Sequence, residues 1–103
     1  MSSSKTKQPN EEKIYTMDFT KLLDGATIAT VDSVDQLKWD KTTKDYVAST
    51  DLTFGAPTDD GANLAQVRIE GGVDKTIYKI TMLVTDSLTQ VHEGDGILSV
   101  VDQ

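Results

Sequence analysis

The stretch that most constrains this chain runs from Arg68 through Thr81. It holds Gly71 and Gly72 side by side, followed by Val73-Asp74-Lys75-Thr76 and then Tyr78, Ile80, Met82 and Val84 on alternate positions. Adjacent glycines reach positive φ at little steric cost, so the chain can reverse tightly there. Alternating apolar residues have the two-residue period of a strand with one face buried. The segment therefore reads as strand, double-glycine turn, strand.

The same logic divides the rest of the chain. Residues 14–19 alternate, with Tyr15, Met17 and Phe19 on one face. Leu22 and Leu23 are expected to plug one end of the core, and Asp24-Gly25 signals a turn. Residues 26–34 are rich in Thr, Ile and Val, which favours strand. Ile28 is the firm core candidate there, while Val31 and Val34 compete for the inward face. Residues 35–44 are the least patterned, with Leu37 and Trp39 extending a strand or bracing a loop. Residues 46–54 return to strand, with Leu52 and Phe54 inward. Residues 55–61, holding Pro57 and Gly61, form the clearest loop, since both residue types interrupt a ladder. Ala65, Val67 and Ile69 resume in phase. After the strand at 78–85, residues 86–89 make a hairpin connection. The last strand, 90–101, is interrupted by Gly94-Asp95-Gly96, read as a bulge or bend.

Six or seven strands at short intervals, without a helical stretch, predict an all-β, antiparallel sandwich. A tyrosine two residues ahead of a core position, just past a turn, matches the tyrosine corner of immunoglobulin-like sandwiches. Ile80 then stands where antibody domains carry a disulfide cysteine. Gly71, Gly72, Tyr78 and Ile80 are thus assigned structural roles. The expected organisation is a polar N-terminal arm, 1–13, and an immunoglobulin-like domain, 14–103. The arm has three serines and a proline, and it buries too little to fold alone. It is either a frayed terminus or a segment that orders on a neighbouring subunit.

Composition narrows function by exclusion. The 103 residues carry a net charge of -7. Lys5, Lys7 and Lys13 against Glu11 and Glu12 give the first thirteen residues +1, which leaves the remainder at -8. Such a surface repels phosphate backbones, so nucleic acid is not an expected partner. With no cysteine, disulfides and Cys-based metal sites are ruled out. The start has no apolar core of a signal peptide, and no apolar run approaches the roughly 20 residues of a membrane span. A soluble protein made in the cytoplasm of whatever cell expresses it, with no membrane partner, is the expectation.

Chemistry is sparse. The sole histidine, His92, lies in a strand beside Glu93, away from any Gly-x-Ser-x-Gly turn, and is expected to be a surface residue. Asp59-Asp60 and the Glu93/Asp95 pair lack EF-hand spacing and zinc-type ligands, and read as solvated turns. Gly71-Gly72 is no phosphate loop, because no Lys-Ser pair or helix follows. No catalytic residue, metal or cofactor is expected. The sole tryptophan, Trp39, flanked by Lys38, Asp40 and Lys41, is either core filler or an interface aromatic. The expected partner-binding residues are Lys5, Lys7 and Lys13 on the arm, with Trp39, Lys41 and Tyr46 on the middle loop.

The order of motifs resembles a known family. Asp18-Phe19, Leu22-Leu23, Asp24-Gly25-Ala26-Thr27-Ile28, then Val67 through Gly72, and finally Tyr78 through Ser87 together resemble the small immunoglobulin-like fiber-tail adaptors of tailed bacteriophages. The likeness spans about 85 residues, on order and spacing rather than any one piece. Two departures bear on loop shape. The chain has Val73-Asp74-Lys75-Thr76 where members often carry a second glycine-containing bend, and Phe19 and Val31 where they often show tryptophan. The resemblance implies a virion structural protein, in several copies around the tail, that holds a fiber or tailspike to the tail tube or nozzle. Competing readings are a capsid decoration protein and a carbohydrate-binding adhesion module. The low aromatic content weakens the latter.

Overall fold

The computed structural model describes residues 4–101. Among these, nine strands and one short helix follow in order: β1 (Ser4–Lys7), β2 (Lys13–Asp18), α1 (Thr20–Leu23), β3 (Ile28–Asp40), β4 (Asp45–Ala48), β5 (Leu52–Phe54), β6 (Thr58–Asp59), β7 (Leu64–Gly71), β8 (Thr76–Asp86) and β9 (Val91–Val100). One sheet has the order β1-β9-β8-β3-β4; the other has β2-β7-β5, with β6 also on β7. On the immunoglobulin scheme, β2, β7 and β5 occupy the B, E and D places, and β3, β8 and β9 occupy C, F and G. The expected all-β sandwich is what forms. One pairing departs from antiparallel: β1 runs parallel to β9.

The two sheets meet through alternate residues. Tyr78, Ile80, Met82, Val84, Leu98 and Val100 face inward from one sheet, and Tyr15, Met17, Leu52, Ala65, Val67 and Ile69 from the other. Phe19 and Leu23 close one end, as expected of the Leu22-Leu23 plug, with Leu22 half-buried beside them.

Several boundaries differ from the sequence expectations. The strand count is nine rather than six or seven. Of the two readings of Leu37 and Trp39, strand extension is the one that forms: β3 continues past Val34 to Asp40, paired with β8 as far as Lys38↔Tyr78. Register shifts between Ile28 and Thr30 and between Val31 and Ser33 break its alternation, so Val31 and Val34, three apart, both pack on the core. The stretch 46–54 is two strands in different sheets, because the chain crosses over at Ser49-Thr50-Asp51. Gln36 secures that crossover: its Nε2 donates to the Leu52 carbonyl (2.8 Å) and its Oε1 accepts from Leu52 N (3.0 Å) and Ser49 Oγ (2.9 Å). Within the loop 55–61, Thr58 and Asp59 add a short strand against β7.

Gly94-Asp95-Gly96 is neither bulge nor bend. β9 pairs with β8 without interruption from Val91 to Val100. Gly94 faces inward, and a Cβ there would lie 2.5 Å from Met17 Sδ and 2.8 Å from the Phe19 ring. Glycine at this place makes room for large side chains from the opposite sheet.

The N-terminal segment expected as an arm is, over Ser4–Lys7, laid along the sandwich as β1. The register sets which elements share an end of the molecule, whose longest extent is 41 Å. Asp40, Gly72 and Val100 lie toward one end. The α1 helix and the β8–β9 hairpin, with exposed Leu88 and Val91, lie toward the other.

Candidate functional site

A surface groove of about 490 Å³ lies at the end formed by the β3–β4 hairpin and the β7–β8 turn. The hairpin wall comes from local turn chemistry. Asp40 caps it, its Oδ1 accepting from Thr42 N (2.8 Å) and its carbonyl from Lys44 N (2.8 Å), with Lys44 in the left-handed region (φ 57°). Cross-strand pairing sets Trp39 opposite Tyr46. Their rings meet edge-on, with centroids 5.2 Å apart and planes at 71°. Lys79 Nζ sits 6.0 Å from the Tyr46 ring centroid, within reach of a cation–π attraction.

The opposite wall, residues 73–77, follows directly on the double-glycine turn. Gly71 and Gly72 both have positive φ (80° and 103°). A Cβ on Gly71 would come within 2.9 Å of the Asp51 carbonyl, so the turn packs tightly on the β4–β5 crossover. Beyond it, Val73 and Ile77 stand exposed on the groove wall facing Trp39.

Beneath the groove the walls are tied to one buried group. Tyr78 is fully buried. Its hydroxyl accepts from Val73 N (2.9 Å) and donates to Asp51 Oδ2 (3.0 Å). Asp51 also pairs with Lys38 Nζ (3.7 Å), and its carbonyl accepts from Gly72 N (3.2 Å). Burial pushes the Tyr78 phenol above its ordinary pKa; the Val73 N–H opposes this and the Asp51 carboxylate adds to it. A single tyrosine thus connects β8, the groove-wall turn and the crossover.

The residues expected at a partner surface fall in different places. Trp39 and Tyr46 are brought together ring against ring, and Trp39 and Lys41 line the groove. Lys5 and Lys13 are exposed on a separate cleft between β1 and β2. Lys7 is set apart by being buried, with its ammonium donating to the Gln8, Pro9 and Gly71 carbonyls. Burial lowers its pKa, against the opposing pull of Glu11 and Glu70. Val73, Ile77 and Asp51 were not singled out from the sequence. Val73 and Ile77 follow the glycine turn as apolar residues out of phase with Tyr78 and Ile80, which was the available signal.

His92 is not the surface residue expected. It is half-buried at the hairpin end, its Nε2 2.8 Å from Oδ2 of fully buried Asp86. That bond, joined by the N–H groups of Gln90 and Leu88, holds the Asp86 carboxyl below the ordinary aspartate range. Among the described residues, no group of three His, Cys, Asp or Glu is placed to hold a metal ion.

A two-sheet sandwich on the immunoglobulin plan, with a groove walled by Trp39 at one end and exposed apolar side chains at the other, places the chain among small immunoglobulin-like β-sandwich modules. Its lineage is more specific. The family described as podophage GP4 fiber-tail adaptor protein gp77 matches residues 7–99, and the chain belongs to that family. No curated protein matches the chain.

Proposed function

We propose that the chain joins tail fibers or tailspikes to the phage tail as a non-enzymatic bridge, in several copies around the tail. The observation that carries this is the family match across residues 7–99, almost the whole chain. The groove supports it: Trp39, Val73 and Ile77 leave apolar surface at one end, and aromatic anchors of this kind dominate binding energy at protein interfaces. Lys41 and Tyr46 complete the contact. Synthesis in the host cytoplasm and residence in the virion tail follow from the same role.

A glycan-binding reading is less favoured, because rings meeting at 71° do not form a flat platform for a sugar. A reading as a capsid decoration protein has no supporting feature of its own. The lone imidazole's bond to Asp86 accounts for it as a structural group.

The test is a phage carrying Trp39→Ala with Val73→Asp. Purified particles should show tails depleted of fibers by electron microscopy, while the isolated variant keeps the wild-type circular dichroism spectrum. A full complement of fibers on variant tails would overturn this placement of the contact. Immunogold labelling of the wild-type chain on the capsid shell, rather than on the tail, would move the chain to decoration.

A further inference from the structure

The first strand forms one wall of a cleft. Lys7 Nζ donates to the carbonyls of Gln8 (2.7 Å), Pro9 (3.2 Å) and Gly71 (2.6 Å), and Val101 N donates to the Lys7 carbonyl (2.8 Å). The Val101 bond continues the β1–β9 pairing, and the Lys7–Gly71 bond ties β1 to the end of β7. Across from it lies β2, an edge strand of the other sheet. Between the two edges opens a cleft of about 410 Å³. Buried Tyr15, Ile69 and Leu98 line its depth, and Ile14, 57% exposed, stands at its rim.

The charge of this cleft runs against that of the whole chain. Lys5 and Lys13 are exposed within its lining. Among the described residues neither belongs to an ion pair, whereas Lys38, Arg68 and Lys79 each have a carboxylate partner. Lys13 donates to the Thr6 carbonyl (3.1 Å) on the edge of β1 that faces away from β9. Of the nearby acids, Glu12 pairs with Arg68 (2.9 Å) and Glu11 accepts from Gln8 N (2.8 Å), while Glu70 acts on buried Lys7. On a chain of net charge -7, two ammonium groups without counter-ions thus stand over an apolar floor, beside a strand edge that can accept another strand.

We propose that the cleft receives an extended acidic segment of another virion protein. The segment lies along the outer edge of β1, with carboxylates at Lys5 and Lys13 and an apolar side chain over Ile14 and Leu98. This rests on the adaptor reading and gives one of its partners a chemical character. A second copy of this chain is a poorer occupant. It brings its own acidic surface, and its Asp59, Asp60 and Asp86 carboxylates are bound into local turns.

The test titrates the ¹⁵N-labelled full chain with a soluble decapeptide alternating Asp and Val, against an Asn-Val peptide of the same length. Amide shifts should concentrate in residues 4–7, 13–16 and 97–100. The neutral peptide should bind about tenfold more weakly, as should the charged peptide to the Lys5→Glu/Lys13→Glu variant, whose melting temperature should stay near wild type. Absent or dispersed shifts, or equal affinity for both peptides and the variant, would overturn the proposal. Self-association in sedimentation equilibrium that vanishes in the variant would also overturn it, giving the cleft to a second copy. The titration involves no virion, so its failure leaves the fiber-attachment test standing, and the reverse holds too.

Discussion

At the scale of single residues, two positions fix how the sandwich holds together. Tyr78 satisfies the part-buried Val73 N–H and gives its own proton to Asp51. Tyr78→Phe keeps the ring and removes both bonds, leaving a donor without its partner. The expected loss is about 1–3 kcal/mol, seen as a lower denaturant midpoint at unchanged slope. Its raised phenol pKa has a definite sign: the stabilisation is complete below the unfolded value of about 10 and is lost as pH rises through the higher folded value. Gly94 is the opposite case, a position defined by lack of atoms. Alanine there drives a methyl into the Phe19 ring and Met17 Sδ, and overpacking of this sort costs about 1–3 kcal/mol. Pairing Gly94→Ala with Phe19→Leu should recover part of the loss in a double-mutant cycle. Simple additivity of the two would show that the clash relaxes elsewhere.

At the scale of elements, the strands that pattern clearly in the sequence are those buried on one face without irregularity. β2, β7 and β8 alternate strictly, and the turn at Gly71-Gly72 is marked by residue type. β3 hides its length because two register shifts change its phase and because inward Gln36 is polar, its amide committed to Leu52. β9 misleads because Gly94 faces inward for space, a demand set by Met17 and Phe19 some 75 residues earlier. β1 carries no apolar signal, since its inward residue is Lys7, whose ammonium takes three backbone carbonyls. The β8–β9 hairpin has its own consequence. Asp86 holds the turn through Leu88 N and Gln90 N (both 2.8 Å) and faces His92. Its folded pKa is depressed, so its contribution is present above the unfolded aspartate value of about 3.9 and disappears as pH falls through the folded value. His92→Ala removes the largest cause of that depression. Acid unfolding of the variant, followed by tryptophan fluorescence, should therefore begin at higher pH than wild type, and an unchanged acid midpoint would count against the coupling.

At the scale of the whole molecule, the sequence showed which residue types were spare but not where the fold would gather them. Trp39, Lys41 and Tyr46 were legible as a loop with an unassigned aromatic. Their partners across the groove, Val73 in the turn and Ile77 at the start of β8, lie some 30 residues later and meet them only through β3–β8 pairing. The arm lysines looked alike in sequence, yet the fold buries Lys7 and leaves Lys5 and Lys13 on a cleft. The long axis also separates two kinds of end. The groove end carries Trp39, Val73 and Ile77; the hairpin end carries Leu88, 68% exposed, and Val91, 62% exposed. Isolated apolar side chains are ordinary on a surface, but a bridge needs contacts that can fail separately. If the hairpin end meets the second partner, Leu88→Asp with Val91→Asp should give a different lesion from the groove variant. The chain should remain with free fibers in pull-downs while its retention on purified tails falls, whereas Trp39→Ala/Val73→Asp should lose the fibers and stay on the tail. Both variants should melt close to wild type, since none of the four side chains belongs to the core. Identical loss of both partners from either variant would mean that fiber and tail share one surface, and the two-ended arrangement would have to be abandoned.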